Sequence, residues 1–180
     1  MVPRGIVDLT PWPDWEAAAS AAVRFLHQRV GWDLWVVTRV AGDHQIVLVA
    51  EPAGQVRPGT RTAWVESFCR EMVAGRAPRV ATVTAAVPEY AAITTGPGAD
   101  IAAYIGVPLL APDGELFGTL CGVAFRAKPL SAARELPLVE LVARMLSTLL
   151  TAGFAPPPTP ADDEEQATTR GRPPIPPRRR

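Results

Sequence analysis

Residues 32–40 place apolar side chains on both parities of an extended chain, Trp32, Leu34 and Val36 on one and Trp35 and Val37 on the other. Successive strand side chains point to opposite faces, so a strand of this kind must be covered on both. A chain that contains it has to hold a sheet between two layers. Ala41-Gly42-Asp43 reads as a turn into a second strand over 45–51, which makes an antiparallel hairpin. A second hairpin is predicted from 104–110 and 115–125 around Ala111-Pro112-Asp113-Gly114, and a short strand over 79–83 adds to the sheet.

Helical spacing supplies the covering layers. Trp15, Ala18, Ala22, Phe25, Leu26 and Val30 recur at three and four residues, with Pro11 and Pro13 placed for a first turn and Gly31 for a stop. Thr62 is the expected N-cap of a helix through Trp64, Val65, Phe68, Cys69, Met72 and Val73, closed by Gly75 and Pro78. A last helix starts near Leu136 with Pro137 in its first turn. The segment 84–98 is long for a connection inside a compact domain and reads as a binding loop. Hairpins with helices between them, rather than strict strand–helix alternation, predict an α/β fold of the α+β kind, with a mainly antiparallel sheet flanked by helices.

Charge and composition remove several classes of function. The 18 basic and 18 acidic side chains balance, which gives no global field to attract nucleic acid or anionic lipid. Glu140 and Arg144 interrupt the longest apolar stretch, 136–150, so no membrane span is expected, and residues 1–9 lack the basic start and apolar run of a secretory signal. A cytoplasmic location follows as the expectation, with both cysteines kept as thiols. Eight of the 20 prolines fall in 156–180, beside a run of acidic and then arginine residues and with Ile175 almost the only large apolar side chain. Such a segment buries too little surface to offset its ordering entropy. The expected division is an N-terminal segment 1–11, a domain 12–155 and a disordered tail 156–180, whose Pro173–Pro177 stretch is a candidate docking peptide.

No recognised chemistry motif is present: there is no phosphate loop, no nucleophile elbow and no metal-spaced histidines, so no catalytic or metal-binding residues are assigned. Cys69 lies on an apolar helical stripe and Cys121 in an apolar strand, where free cysteine acts as a small buried hydrophobe. Tyr90 and Tyr104 each join an apolar ring to a hydroxyl that wants a partner. Along 117–123, Phe117, Thr119, Cys121 and Val123 share one face; Gly118, Leu120 and Gly122 share the other, which suits close helix packing. Thr119 and Cys121 would then look toward a pocket.

Trp64-Val65-Glu66-Ser67-Phe68-Cys69 with Gly75 and Pro78, then Tyr104-Ile105-Gly106-Val107-Pro108-Leu109, Asp113-Gly114 and Phe117-Gly118-Thr119-Leu120-Cys121-Gly122, resemble the GAF domain family of bacterial signalling proteins. The resemblance spans about 12–150 and implies a central antiparallel sheet of five or six strands. It further implies a helical layer on one face that often mediates dimers and a small-molecule pocket on the other. It names no ligand or cofactor. Bilin-binding members pair a cysteine with a neighbouring histidine, which neither Cys69 nor Cys121 has, and the Asn-Lys-Phe-Asp-Glu set of cyclic-nucleotide binders is absent. Free methionine-(R)-sulfoxide reductases share the fold but carry three characteristic cysteines where this chain has two.

The expected function is a non-catalytic sensory or regulatory domain acting through another chain, with Phe68, Tyr90, Tyr104, Thr119 and Cys121 as candidate pocket residues. A pure interaction module and a reductase-like thiol enzyme are the alternatives. Leu138, Val142, Met145 and Leu149 on the closing helix form the candidate homodimer stripe, since Val139, Ala143, Leu146 and Leu150 already supply a face for the chain's own core.

Overall fold

The computed structural model describes residues 10–158. Most of the N-terminal segment, 1–9, and the tail from 159 on, including the candidate docking peptide, lie outside the described residues.

Helix α1, Trp15–Val30, starts where the Asp14 carboxylate accepts the Ala17 N–H at 2.7 Å. Pro11 and Pro13 therefore precede the helix instead of occupying its first turn. Gly31, at a φ of 69° that favours glycine, ends it by donating its N–H to the His27 carbonyl. Strands β1, Leu34–Ala41, and β2, His44–Glu51, form the expected hairpin.

The next segment differs from expectation. Thr62 lies in strand β3, Arg61–Ala63, where it stands opposite Gln45 of β2. A short stretch with two β-branched threonines, 60 and 62, fits the open edge of β2 better than a helix start. Trp64–Glu66 makes one 3₁₀ turn, and helix α2, Phe68–Val73, begins only after Ser67, whose hydroxyl accepts the Arg70 N–H at 3.2 Å. Strand β4 is Val80–Ala81, and helix α3 is Pro88–Ala91. Strands β5, Ala103–Leu110, and β6, Leu116–Ala124, form the second hairpin; helix α4, Leu136–Thr151, closes the fold with Pro137 in its first turn.

The six strands run β3-β2-β1-β6-β5-β4, every neighbouring pair antiparallel. The central strands β1 and β6 carry apolar residues on both faces, as do their neighbours β2 and β5, and the shortest strands guard the edges. Helices α1 and α4 cover one face: Trp15, Leu26, Val139 and Leu146 pack on Trp35, Val37, Ile105 and Leu120. The Trp15 indole N–H also donates to the Leu146 carbonyl at 3.1 Å, tying the two helices together. Burying each such large apolar side chain contributes roughly 1.5–3 kcal/mol. The second face carries α2, α3 and a separate apolar cluster.

Three side-chain placements are corrected by this packing. Phe117 does not share a face with Thr119, because consecutive residues Leu109 and Leu110 pair with Gly118 and Leu116 and leave Phe117 as the extra residue of a bulge. Its ring turns to the helical layer and meets Trp15 edge-on at 5.7 Å. Gly122 does face that layer, but what it accommodates is the indole of Trp35 on the neighbouring strand rather than a helix. On α4, Val142 is buried with Val139, Ala143, Leu146 and Leu150, since steps of three and four from Val139 return to one helical face. Within the stripe assigned to a partner, Leu138 and Leu149 are half-buried and Met145 is exposed, with Leu141 exposed beside it.

Segment 84–98 holds a 3₁₀ turn, α3 and a second 3₁₀ turn, and is not a structureless loop. The Thr84 hydroxyl donates to the Ile101 carbonyl and the Tyr90 hydroxyl to the Pro78 carbonyl, each at 2.6 Å.

Candidate functional site

Between the second sheet face, α2 and the 98–101 turn lies a cavity of about 270 Å³. Its walls are Leu34, Val36, Val47, Phe68, Ile101 and Val123, and exposed Thr60 and Glu66 stand at its rim. At its buried end sit Thr38, Gln45, Cys69, Tyr104 and Cys121, joined by fully buried Thr119.

Register brings this polar end together. Thr38 stands opposite Thr119 across β1 and β6, and their hydroxyls are 2.8 Å apart. Cys121 is paired with Val36 on one side and Gly106 on the other. Gly106 matters because a Cβ there would collide with the ring and hydroxyl of Tyr104, two residues back on the same face. With that space empty, the Tyr104 ring lies down along the sheet toward Cys69.

Cys69 Sγ is the point on which the donors converge. It accepts from Gln45 Nε2 at 3.2 Å, from the Thr119 hydroxyl at 3.3 Å and from the Tyr104 hydroxyl at 3.4 Å, and its own thiol is placed to donate to Cys121 Sγ at 3.8 Å. Gln45 Nε2 also reaches the Thr38 and Thr119 hydroxyl oxygens at 2.8 and 3.0 Å, closing a network. A neutral thiol is a weak acceptor, whereas a thiolate is well served by these three donors, with the Cys121 thiol free to turn its proton toward it as a fourth. The Cys121 thiol first, then Thr119, Tyr104 and Gln45, pull the Cys69 thiol down to about 6 against the opposing effect of burial. Cys121 moves the other way, held protonated by its hydrogen bond to Cys69 and by burial. Burial likewise raises Tyr104, so its hydroxyl stays a donor.

Of the residues expected to line a pocket, Phe68, Tyr104 and Cys121 line this cavity and Thr119 completes its polar end. Tyr90 stands behind it: its ring lies 4.7 Å from Phe68 and 5.3 Å from Tyr104, and it faces a separate, more open cleft with Thr84 and Ile93. Three residues of the site were not foreseen. Thr38 is the first polar residue of β1, after four apolar ones, a signal available in the sequence. Gln45 follows a turn and reads as solvated, yet the hairpin register buries it. Cys69 is buried as expected, but it is the second residue of α2 rather than mid-helix, and it sits among polar groups. Neither histidine lines the cavity, and among the described residues no group of three His, Cys, Asp or Glu side chains is placed to hold a metal ion. Among the described residues no helix is long and apolar enough to cross a membrane.

A family model described as GAF domain matches residues 14–150. No curated protein matches the chain significantly. Among solved structures, a free methionine-R-sulfoxide reductase from Neisseria meningitidis, in complex with its substrate, is similar with a TM-score of 0.60 and 19% identity over 84% of this chain and 81% of that one. The GAF domain of a phosphoenolpyruvate-protein phosphotransferase from Coxiella burnetii gives a TM-score of 0.60 and 16% identity, covering 80% and 89%. A type II free methionine-R-sulfoxide reductase from Thermoplasma acidophilum gives 0.59 and 15%, covering 78% and 94%. At these identities the likeness is one of fold.

Proposed function

This chain belongs to the GAF domain family, and we propose that within it the chain is a non-catalytic regulatory domain whose cavity binds a small, mainly apolar molecule with one hydrogen-bonding end. The observation that carries this reading is the cavity itself, about 270 Å³ with apolar walls and a closed polar end. Besides the Cys69 thiol, Glu66 is the one acidic side chain among the residues lining it, and no Lys, Arg or His stands among them. A phosphate-bearing nucleotide or a zwitterionic amino acid would lose hydration there without a cation to replace it, which disfavours both as occupants. Occupancy would be conveyed through the elements that meet over the cavity, α2 and the 98–101 turn, and outward to a second copy or a partner protein. A homodimer through the outer side of α1 and α4 fits the exposure of Phe25, Leu141 and Met145.

Reductase-like turnover is the second reading, favoured by the contact between Cys69 and Cys121. Native mass spectrometry of the protein purified from its source cells tests the choice, together with Val36→Trp, which fills the cavity from β1. A retained small molecule that Val36→Trp abolishes supports the binding reading. Cysteine-dependent turnover of free methionine-(R)-sulfoxide with a thiol reductant overturns it.

A further inference from the structure

The Cys69 and Cys121 sulfurs touch at 3.8 Å inside the cavity, on two elements, α2 and β6, that are otherwise held together only by side chains. We propose that this pair is a stoichiometric redox sensor, oxidised once per chain by an apolar organic hydroperoxide admitted to the cavity and closing to a disulfide that joins α2 to β6. The proposal rests on the reading that the cavity takes a small apolar molecule, and it adds the chemical class of that molecule.

The two sulfurs are placed for different roles. Cys69 is the acceptor of every hydrogen bond that reaches the pair from Gln45 and Tyr104, so it is the sulfur favoured as thiolate, and once it has lost its proton the Cys121 thiol, 3.8 Å away, is the remaining S–H of the pair. A thiolate is the attacking species in this chemistry and an adjacent thiol the resolving one. In the first step the Cys69 thiolate attacks the terminal oxygen of the hydroperoxide. An S–O bond forms, the O–O bond breaks, and the alkoxide leaves with a proton taken from solvent, giving the alcohol and Cys69 sulfenic acid. Gln45 and Tyr104, already donors at the sulfur, are within reach of the developing alkoxide charge. In the second step Cys121 loses its proton and its sulfur attacks that of Cys69, expelling the hydroxyl as water. Two thiols are oxidised to one disulfide, and one hydroperoxide is reduced to an alcohol and water.

The apolar walls set the preference. The organic tail of the hydroperoxide replaces water along Leu34, Val36, Val47 and Val123, whereas hydrogen peroxide gains nothing there.

The test uses the reduced full-length chain, one equivalent of cumene hydroperoxide or hydrogen peroxide, and intact mass with alcohol release as readouts. Expected are loss of two hydrogens, one cumyl alcohol per chain, and a rate at least about tenfold above that with hydrogen peroxide. Cys121→Ser should stop at a dimedone-trappable sulfenic acid on Cys69, and Cys69→Ala should release no alcohol. Equal rates with the two oxidants, or the same rates after unfolding in urea, overturn the proposal, as does an unaltered mass. Cumyl alcohol binding to the Cys69→Ala variant, followed by thermal shift, separates the two readings. Binding together with an inert wild-type pair removes the redox proposal alone, and absence of both removes the apolar-ligand reading with it.

Discussion

At Cys69 a single sulfur takes part in the fold and in the candidate chemistry through the same polar neighbours. Because its thiol is held at about 6 against an ordinary value of 9.0, the folded state binds the thiolate more tightly than the unfolded chain does. That stabilisation is fully present above the ordinary value and is lost as pH falls through about 6. Cys121 is shifted upward and exerts its effect only above the ordinary thiol range, so it does not cancel the trend in this window. The melting-temperature gap between wild type and Cys69→Ala should therefore widen as pH is raised from about 6 toward 9.0. Ultraviolet thiolate absorbance should titrate near the lower end of that window and move upward in Tyr104→Phe, which also forfeits roughly 1 kcal/mol of hydrogen bonding. A flat gap across the window would mean that Cys69 is a plain buried thiol. A second residue is decided by shape alone. A Cβ at Gly122 would come within 2.9–3.0 Å of three atoms of the Trp35 indole, which is fully buried and has no room to withdraw. Gly122→Ala should cost about 1–3 kcal/mol of unfolding free energy by denaturant titration.

Among the elements, α2 is the most consequential and the least able to stand alone. Six residues are too few for an isolated helix, so Ser67 at the N-cap and the packing of Phe68, Cys69 and Met72 have to hold it. Ser67→Ala should cost about 1 kcal/mol and, by loosening the turn that aims Cys69 at the sheet, speed its alkylation by a small apolar maleimide. Unchanged alkylation with lowered stability would separate the cap from the thiol site. This region is also where sequence patterning fell short. The spacing of Trp64, Phe68 and Met72 is helical, but Thr62 and its neighbours pair with β2 instead, because an exposed strand edge offers the backbone hydrogen bonds that local propensity does not count. On α4 the pattern was legible down to the face, and only the helix's rotation moved Val142 from the outer stripe to the core.

For the whole molecule, the two faces of the sheet divide the work: α1 and α4 build the larger core, and the opposite face keeps a cavity. The proposed self-association belongs to the outer side of the first layer. Leu141 and Met145, exposed by 57% and 49%, are substitutable without opening the core. Light scattering at micromolar concentration is expected to give a concentration-dependent dimer for wild type and a folded monomer for Leu141→Glu combined with Met145→Glu; a wild-type monomer throughout rejects the interface. Periodicity and turn residues by themselves determined the two hairpins, the first and last helices and the central place of β1 and β6, and put Thr119 and Cys121 on one face of their strand. Those features depend on side-chain alternation and short-range turn chemistry, which a linear pattern records. Tertiary structure alone decided that Thr38, Gln45, Cys69 and Tyr104 meet, that Tyr90 stands behind them, and that Phe117 turns to the other layer at a bulge. Each of those depends on register between strands distant in sequence, and register is set by how both faces pack at once rather than by any one segment.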